Sequence, residues 1–462
     1  MTTENPVSWG TVLSGPNRGL FAVLSFGVWL HAADSTVIAT LLPGVVADVG
    51  GEAFISWNFV LYLLASITAA CSSALVARML GLRRLMIWSA LAVAIGCLVS
   101  AVTPTMGGMI AGRVLQGFGG GMLVACTMIG VAKLFPSHYT PRVMAAISAV
   151  WGASAFLGPL VGGIFAEFDM WRMGFWSFCA QALFLAFALR WALPVAVSPP
   201  SDPARLPWRR LLVLSVAVLC IATAGLQKDS LVLMGALSCI GILGFALFLR
   251  LDKAATDSRL LPYSITDMTH ITGIGLIGIF LISFATIAFS VYGPVLLHTL
   301  HDIGPLGVGY MIALESVAWT VGALSLSGLA PRQQVIAIRL SFLAILGATI
   351  GLALLVTPGP VWAILPCLFI TGAGFGACFG HILQRCTEAA PPEDKDRAAS
   401  AMTTVQTVGY ALGAAVSGLV ANLVGYGDQP TLADAQSAGV WVFVAMVPVS
   451  AVSVLLIWRL RR

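Results

Sequence analysis

An aspartate, Asp34, interrupts the apolar run 29–37 near the start of the chain. A carboxylate held in hydrocarbon is costly, so inside a membrane segment it marks a candidate site. His31 precedes it by three residues on the same helical face. It could tune or relay a proton, or simply be hydrogen-bonded within a bundle. Arg113 lies in another apolar run and supplies the opposite charge. A carboxylate balanced between an arginine and the cost of desolvation can load and release a proton as water access switches. The competing reading is a static ion pair. Glu315 is a second acid in an apolar run, with Trp319 one turn on along the same face. An acid beside an aromatic suits an organic cation; a second proton site is the equal alternative.

Gln116, Trp151, Tyr292 and His381 are further candidates for contact with a substrate, with packing open for each. Gly117, Gly152, Gly158, Gly162 and Gly163, together with Pro159, do backbone work. Glycine lets helices approach closely, and a helical proline removes one hydrogen bond and bends the span. Such a bend suits rocking, although plain packing overlaps with that role. His298 and His301 flank Asp302, but no spaced ligand set supports a metal site, so none is expected. No phosphate loop of the Gly-x-x-x-x-Gly-Lys-Ser/Thr type and no clustered catalytic set occur, so neither an ATP-driven pump nor an enzyme is expected. No cofactor is expected beyond protons as the coupling ion.

The elements that must hold these residues follow from composition. Of 462 residues 59% are hydrophobic and only 9% charged, against about 25% charged in soluble proteins. This excludes a soluble fold and predicts an all-α integral membrane protein. The net charge of +5 is scattered between apolar runs and does not suggest nucleic acid. The nine cysteines fall in or beside those runs without a Cys-x-x-Cys pair, as small buried hydrophobes do. Residues 1–17 lack a basic, cleavable leader pattern, so the first span is expected to direct insertion.

Fourteen runs approach the roughly 20 residues a spanning helix needs: 19–43, 54–77, 85–103, 106–135, 141–168, 171–193, 211–227, 231–251, 270–298, 305–330, 335–356, 361–387, 398–424 and 439–458. With the N-terminus inside, 21 of the 24 Lys and Arg residues fall on the cytoplasmic side, Arg172 and Lys228 fall outside and Arg113 lies within a span. Both termini are then cytoplasmic. Asp34 stands nine residues from the outer end of its span at Pro43 and Arg113 seven from the outer end of its own, depths of roughly 13 and 10 Å. The opposite charges share a depth. Glu315 stands about ten residues from its outer end, near the midplane.

Gly117, Gly119, Arg142, Gly158 and Gly163 recur 255 residues later as Gly372, Gly374, Arg397, Gly413 and Gly418. The repeat shifts the chain by eight spans and is therefore parallel in the membrane. Two six-helix bundles, 18–194 and 268–459, with an inserted two-helix hairpin at 205–252, produce that shift.

Several local patterns resemble the major facilitator superfamily and its fourteen-span drug–proton antiporter branch. Asp34-Ser35-Thr36-Val37 with Leu42-Pro43 resembles the branch's first-span motif, and Trp57 with Tyr62-Leu63-Leu64 its second span. Arg113-Val114-Leu115-Gln116-Gly117-Phe118-Gly119 resembles the fourth-span Arg-x-x-Gln-Gly-x-Gly motif, and residues 158–163 the fifth-span antiporter motif, with Ser154 in place of an earlier glycine. The cytoplasmic loop after the second span keeps Gly81, Arg83 and Arg84, but Arg78 stands where the family carries an acid that latches the outward-facing state.

The resemblance implies a secondary transporter of the inner or plasma membrane, two lobes rocking about a central site. It implies proton-coupled export of lipophilic or cationic small molecules. Asp34 would carry the proton and Arg113 set its affinity. Substrate would lie between the lobes against Glu315 and aromatics. Its partners are a small-molecule substrate and the bilayer, and a monomer is expected. A dedicated exporter of one endogenous metabolite, such as a metallophore or lipid, is the alternative; a passive uniporter and a membrane enzyme are the other competitors.

Overall fold

The computed structural model describes residues 16–135, 140–194, 207–227, 230–255, 259–326, 329–391, 394–427 and 429–460. The N-terminal stretch before residue 16, Arg205 at the start of the expected insert, Lys228 at its tip, and Arg461 and Arg462 lie outside them. Hydrocarbon offers no hydrogen-bond partner, so a spanning backbone must satisfy itself within each segment. The described residues accordingly form fourteen long helices: α1 (Pro16–Val49), α2 (Trp57–Leu80), α3 (Leu82–Val102), α4 (Met106–Leu134), α5 (Thr140–Glu167), α6 (Trp171–Ala192), α7 (Trp208–Ala224), α8 (Leu231–Ala254), α9 (Ile271–His301), α10 (Pro305–Ser325), α11 (Pro331–Leu355), α12 (Val361–Ala389), α13 (Lys395–Leu423) and α14 (Leu432–Ile457). Thirteen are long and apolar enough to cross a membrane. The fourteenth, α7, has 17 residues, at the short end of the range that spans.

Two ends differ most from the sequence expectation. α1 continues through Pro43 to Val49, since a helical proline forfeits one bond without ending the helix. α14 starts at Leu432 rather than at 439, because Thr431 and Asp434 cap it reciprocally: the Asp434 amide donates to Thr431 Oγ1 at 3.3 Å and the Thr431 amide to Asp434 Oδ2 at 2.8 Å. Gly81 alone joins α2 to α3 at φ 81°, a left-handed backbone that strains any side chain.

α1 packs on α4, α5 and α6, while α4 packs on α2 and α3. The later helices repeat this arrangement: α9 packs on α12, α13 and α14, and α12 on α10 and α11. α7 pairs with α8 and lies on both α2 and α13. Four helix pairs join the two groups: α5 with α10, α2 with α13, α1 with α9 and α1 with α10. Their polar contacts run from mid-depth to the end away from the basic loops. Ser316 Oγ donates to the Ala155 carbonyl at 2.8 Å, the Leu306 amide to Glu167 Oε2 at 3.3 Å, and Asn422 Nδ2 to the Ala53 carbonyl at 3.0 Å. Towards the basic end Ser148, Trp151, Thr320 and Thr403 are exposed. The cleft between the groups therefore opens towards the basic loops.

A buried ion pair that the sequence reading missed fastens the hairpin. Arg210 Nη1 donates to Asp252 Oδ1 at 2.6 Å, and Asp252 also accepts from the amides of Leu260 and Leu261 at 3.0 and 2.9 Å. Breaking one side of a buried pair strands the other charge and costs about 3–5 kcal/mol. Asp252→Asn is expected to lower the unfolding free energy of the purified protein in mixed micelles by an amount in that range. Removing both charges with Arg210→Met and Asp252→Leu should restore much of it.

Candidate functional site

Four glycines of α4 decide how close its neighbours come. A side chain at Gly117 or Gly121 would strike the backbone of Tyr62 or Ser66 on α2, one at Gly119 the backbone of Ser89 on α3, and one at Gly120 the His31 ring on α1. Three helices are thereby drawn against α4 within about one to two turns of Arg113, whose guanidinium ends up with no contact with solvent.

Arg113 Nη1 donates to Asp34 Oδ2 at 3.2 Å, to the Asp34 carbonyl at 3.3 Å and to Gln116 Oε1 at 2.6 Å. Its Nε donates to the Asn58 carbonyl at 3.5 Å, and its Cζ lies 4.0 Å from the centre of the Tyr62 ring, a cation–π distance. Gln116 Nε2 donates onward to Ser100 Oγ at 2.9 Å. The Tyr62 hydroxyl lies 2.9 Å from His31 Nδ1 and 3.1 Å from the His31 carbonyl. The His31 ring stacks on Tyr62 and meets Trp151 edge-on at 5.9 Å. Three polar atoms of the cluster, Asp34 Oδ1, Arg113 Nη2 and Asn58 Oδ1, are buried without a hydrogen-bond partner among the described residues. The pair is therefore under-bonded, and a proton or a water at Oδ1 has a place to bind.

α5 brings this cluster to the seam between the two helix groups. Side chains at Gly158 and Gly162 would strike Thr36 and Thr40 on α1, the helix of Asp34; one at Gly163 would meet Pro305 and Leu306 on α10. The Pro159 carbonyl lies against Gly309 of α10. Gly152 has only Thr320 nearby, at 3.9 Å, at the widening of the seam. Trp151, half-exposed, stands between His31 and the open cleft.

The structure thus brings together Asp34, Arg113, His31, Gln116 and Trp151, and adds Tyr62, Asn58 and Ser100. Three expected substrate contacts sit elsewhere or are engaged. Gln116 is fully buried with its oxygen on Arg113 and an amide N–H on Ser100, so it offers nothing to a cargo. Tyr292 is fully buried edge-on against Tyr426, away from the cleft. His381 Nε2 lies 2.8 Å from the Leu326 carbonyl and ties up the end of α10, a helix-capping role. Trp319 stacks on Phe375 at 4.6 Å. Glu315 points into a small cavity within the second helix group, beside Thr286, Thr349 and Thr371, rather than standing as a wall between the groups. His298 and His301 contact the carbonyls of Ile303 and Val356, at 3.2 and 2.7 Å.

Comparison with known proteins places this geometry. The family described as the Major Facilitator Superfamily matches residues 24–414. A "Probable multidrug-efflux transporter" of Mycobacterium tuberculosis (strain ATCC 25618 / H37Rv) is 28% identical over 447 residues, covering 92% of each chain. "Multidrug resistance protein 3" of Bacillus subtilis (strain 168) is 23% identical over 408 residues, covering 86% of this chain and 78% of that one. Among solved structures, a peptide transporter in complex with sulfate superposes with a TM-score of 0.66 at 15% identity, over 96% of this chain and 95% of the other. A D-xylose–proton symporter does so with a TM-score of 0.61 at 14% identity, over 94% and 97%. These two share the fold.

Removing one charge of the buried pair should cost more than removing both. Arg113→Met is expected to destabilise the purified protein by about 3–5 kcal/mol. The double variant Arg113→Met with Asp34→Leu is expected to be the more stable of the two in denaturant titrations.

Proposed function

The chain belongs to the major facilitator superfamily, and from that premise we propose that it exports lipophilic or cationic small molecules in exchange for protons. It is a multi-pass membrane transporter of small molecules and not an enzyme. The observation that carries the finer reading is the under-bonded Asp34–Arg113 pair, buried in this conformer and borne in part by the helix that α5 packs against.

The ionised pair holds α1 to α4. A proton on Asp34 removes the charge that Arg113 grips, and the guanidinium keeps Gln116 and the Asn58 carbonyl as partners. α1 is then free to shift against the glycine face of α5, and the seam with α10 moves with it. Loss of the proton restores the grip. Coupling follows if water reaches Asp34 from opposite sides in the two tilts of the lobes. In the conformer seen here the path from the basic side leads past Trp151 and His31. Cargo takes the cleft beyond Trp151, where Thr320 and Gly152 face each other. The names of two relatives, a probable multidrug-efflux transporter and a multidrug resistance protein, support drugs as the cargo class.

Purified protein in liposomes under an imposed pH gradient tests this. Asp34→Asn is expected to abolish uphill transport of lipophilic cations while leaving equilibrium binding within about threefold, a change of less than 1 kcal/mol. Uphill transport that survives in this variant would refute the assignment. Concentration of an endogenous metabolite alone, with no lipophilic cation moved, would favour the dedicated exporter.

His31→Phe keeps the ring contacts with Tyr62 and Trp151 and removes the titratable nitrogens. It is expected to slow pH-driven exchange by about tenfold or less, with counterflow of cargo retained, as fits a tuning group rather than the carrier.

A further inference from the structure

The fold treats its two membrane-embedded acids differently. Asp34 has a counter-charge built beside it. Glu315 forms no ion pair or hydrogen bond with any described residue. The internal repeat accounts for the contrast. In the first half Gly117 and Gly121 of α4 press on the backbone of Tyr62 and Ser66 of α2; in the second half Gly372 and Gly376 of α12 press on the carbonyls of Glu315 and Trp319 of α10. Each second-half glycine stands 255 residues after its counterpart. Glu315 therefore takes the place of Tyr62. At the same spacing Leu368 and Thr371 stand for Arg113 and Gln116. Where the first half holds a guanidinium, the second holds Leu368 and a cavity.

The wall of that cavity is chemically one-sided. The hydroxyls of Thr286, Thr349 and Thr371 donate to the carbonyls of Ile282, Ile345 and Cys367 in their own helices, at 2.9, 2.8 and 2.9 Å. With its proton so used, each oxygen turns only lone pairs outward. Glu315 adds a carboxylate, and the remaining lining is apolar. The wall thus presents acceptors and no donor at mid-membrane depth, where an unpaired charge is costly. An occupant must bring positive charge or protons. There is room for the centre of one water-sized occupant, about 10 Å³, near the least that holds a single water. An organic cation does not fit. Hard oxygen ligands suit a hard cation, and one carboxylate matches a single positive charge rather than two. α9, α11, α12 and α14 contribute no charged side chain to the cavity. Among the described residues, the titratable group that feels Glu315 from a neighbouring helix is Tyr410 of α13, whose hydroxyl accepts from Gln406 at 3.2 Å.

We propose that Glu315, Thr286, Thr349 and Thr371 form a site for one small monovalent inorganic cation, sodium or a proton carried as hydronium, in the core of the second half. The site stands apart from the Asp34 reading, so the test is run in full-length Asp34→Asn protein, where failure of one leaves the other intact. Binding of radiolabelled sodium is measured in choline buffer at alkaline pH, and proton uptake is measured by titration of the same samples free of sodium. If sodium is the ligand, saturable binding is lost in Glu315→Gln, weakened about tenfold or more in Thr286→Val with Thr371→Val, and kept in Thr371→Ser. If hydronium is the ligand, sodium does not bind, Glu315→Gln takes up one proton fewer per chain, and the valine pair shifts the midpoint of that uptake while Thr371→Ser does not. Absence of sodium binding together with an unshifted midpoint in the valine pair overturns the proposal. A monodisperse elution profile for the serine and valine variants shows that loss of binding is not loss of fold.

Discussion

A guanidinium can be kept dry only if its partners are delivered to it from several directions at once. Arg113 receives a carboxylate from α1, a carbonyl and a ring face from α2, and an amide oxygen from its own helix that is itself anchored on α3. None of these contacts forms unless α1, α2 and α3 all lie against α4. The glycines at 117, 119, 120 and 121 are what permit it. The charge and the close packing are therefore one constraint seen twice. Burying the arginine is tolerable because the helices touch, and their touching is made specific by the arginine.

The same logic explains why the site is mobile in principle. A fully bonded buried network holds a single arrangement. This one leaves a carboxylate oxygen and a guanidinium nitrogen unsatisfied, and the helix bearing the carboxylate rests Thr36 and Thr40 on the glycine face of α5. A small change in charge can thus be converted into a shift of backbone against backbone.

Much of this was legible in the sequence. Runs of about 20 apolar residues can be little else than spanning helices. Equal depth of Asp34 and Arg113 followed from counting residues to the helix ends, and the pair is observed at 3.2 Å. What was not legible is which way a side chain turns around its helix axis. Gln116 belongs to a motif that suggested contact with cargo, yet the position of Ser100 on another helix takes its amide. Tyr292 and His381 were likewise decided by neighbours far along the chain. Arg210 and Asp252 could have been found, since opposite charges lie at the same end of two adjoining apolar runs. The three threonines around Glu315 could not, because a hydroxyl in an apolar helix ordinarily bonds to its own backbone, and only the packing shows that they converge.

The inserted hairpin makes the molecule lopsided. α7 lies along the join of α2 and α13, with Gly225 seated on the backbone of Leu419, whereas the join of α5 and α10 has no described helix laid over it. A solute dissolved in the surrounding lipid consequently meets a shuttered flank on one side and a bare one on the other. The side chains that bare flank offers to the bilayer are those of α5 and α10, Trp151 and Tyr310 among them.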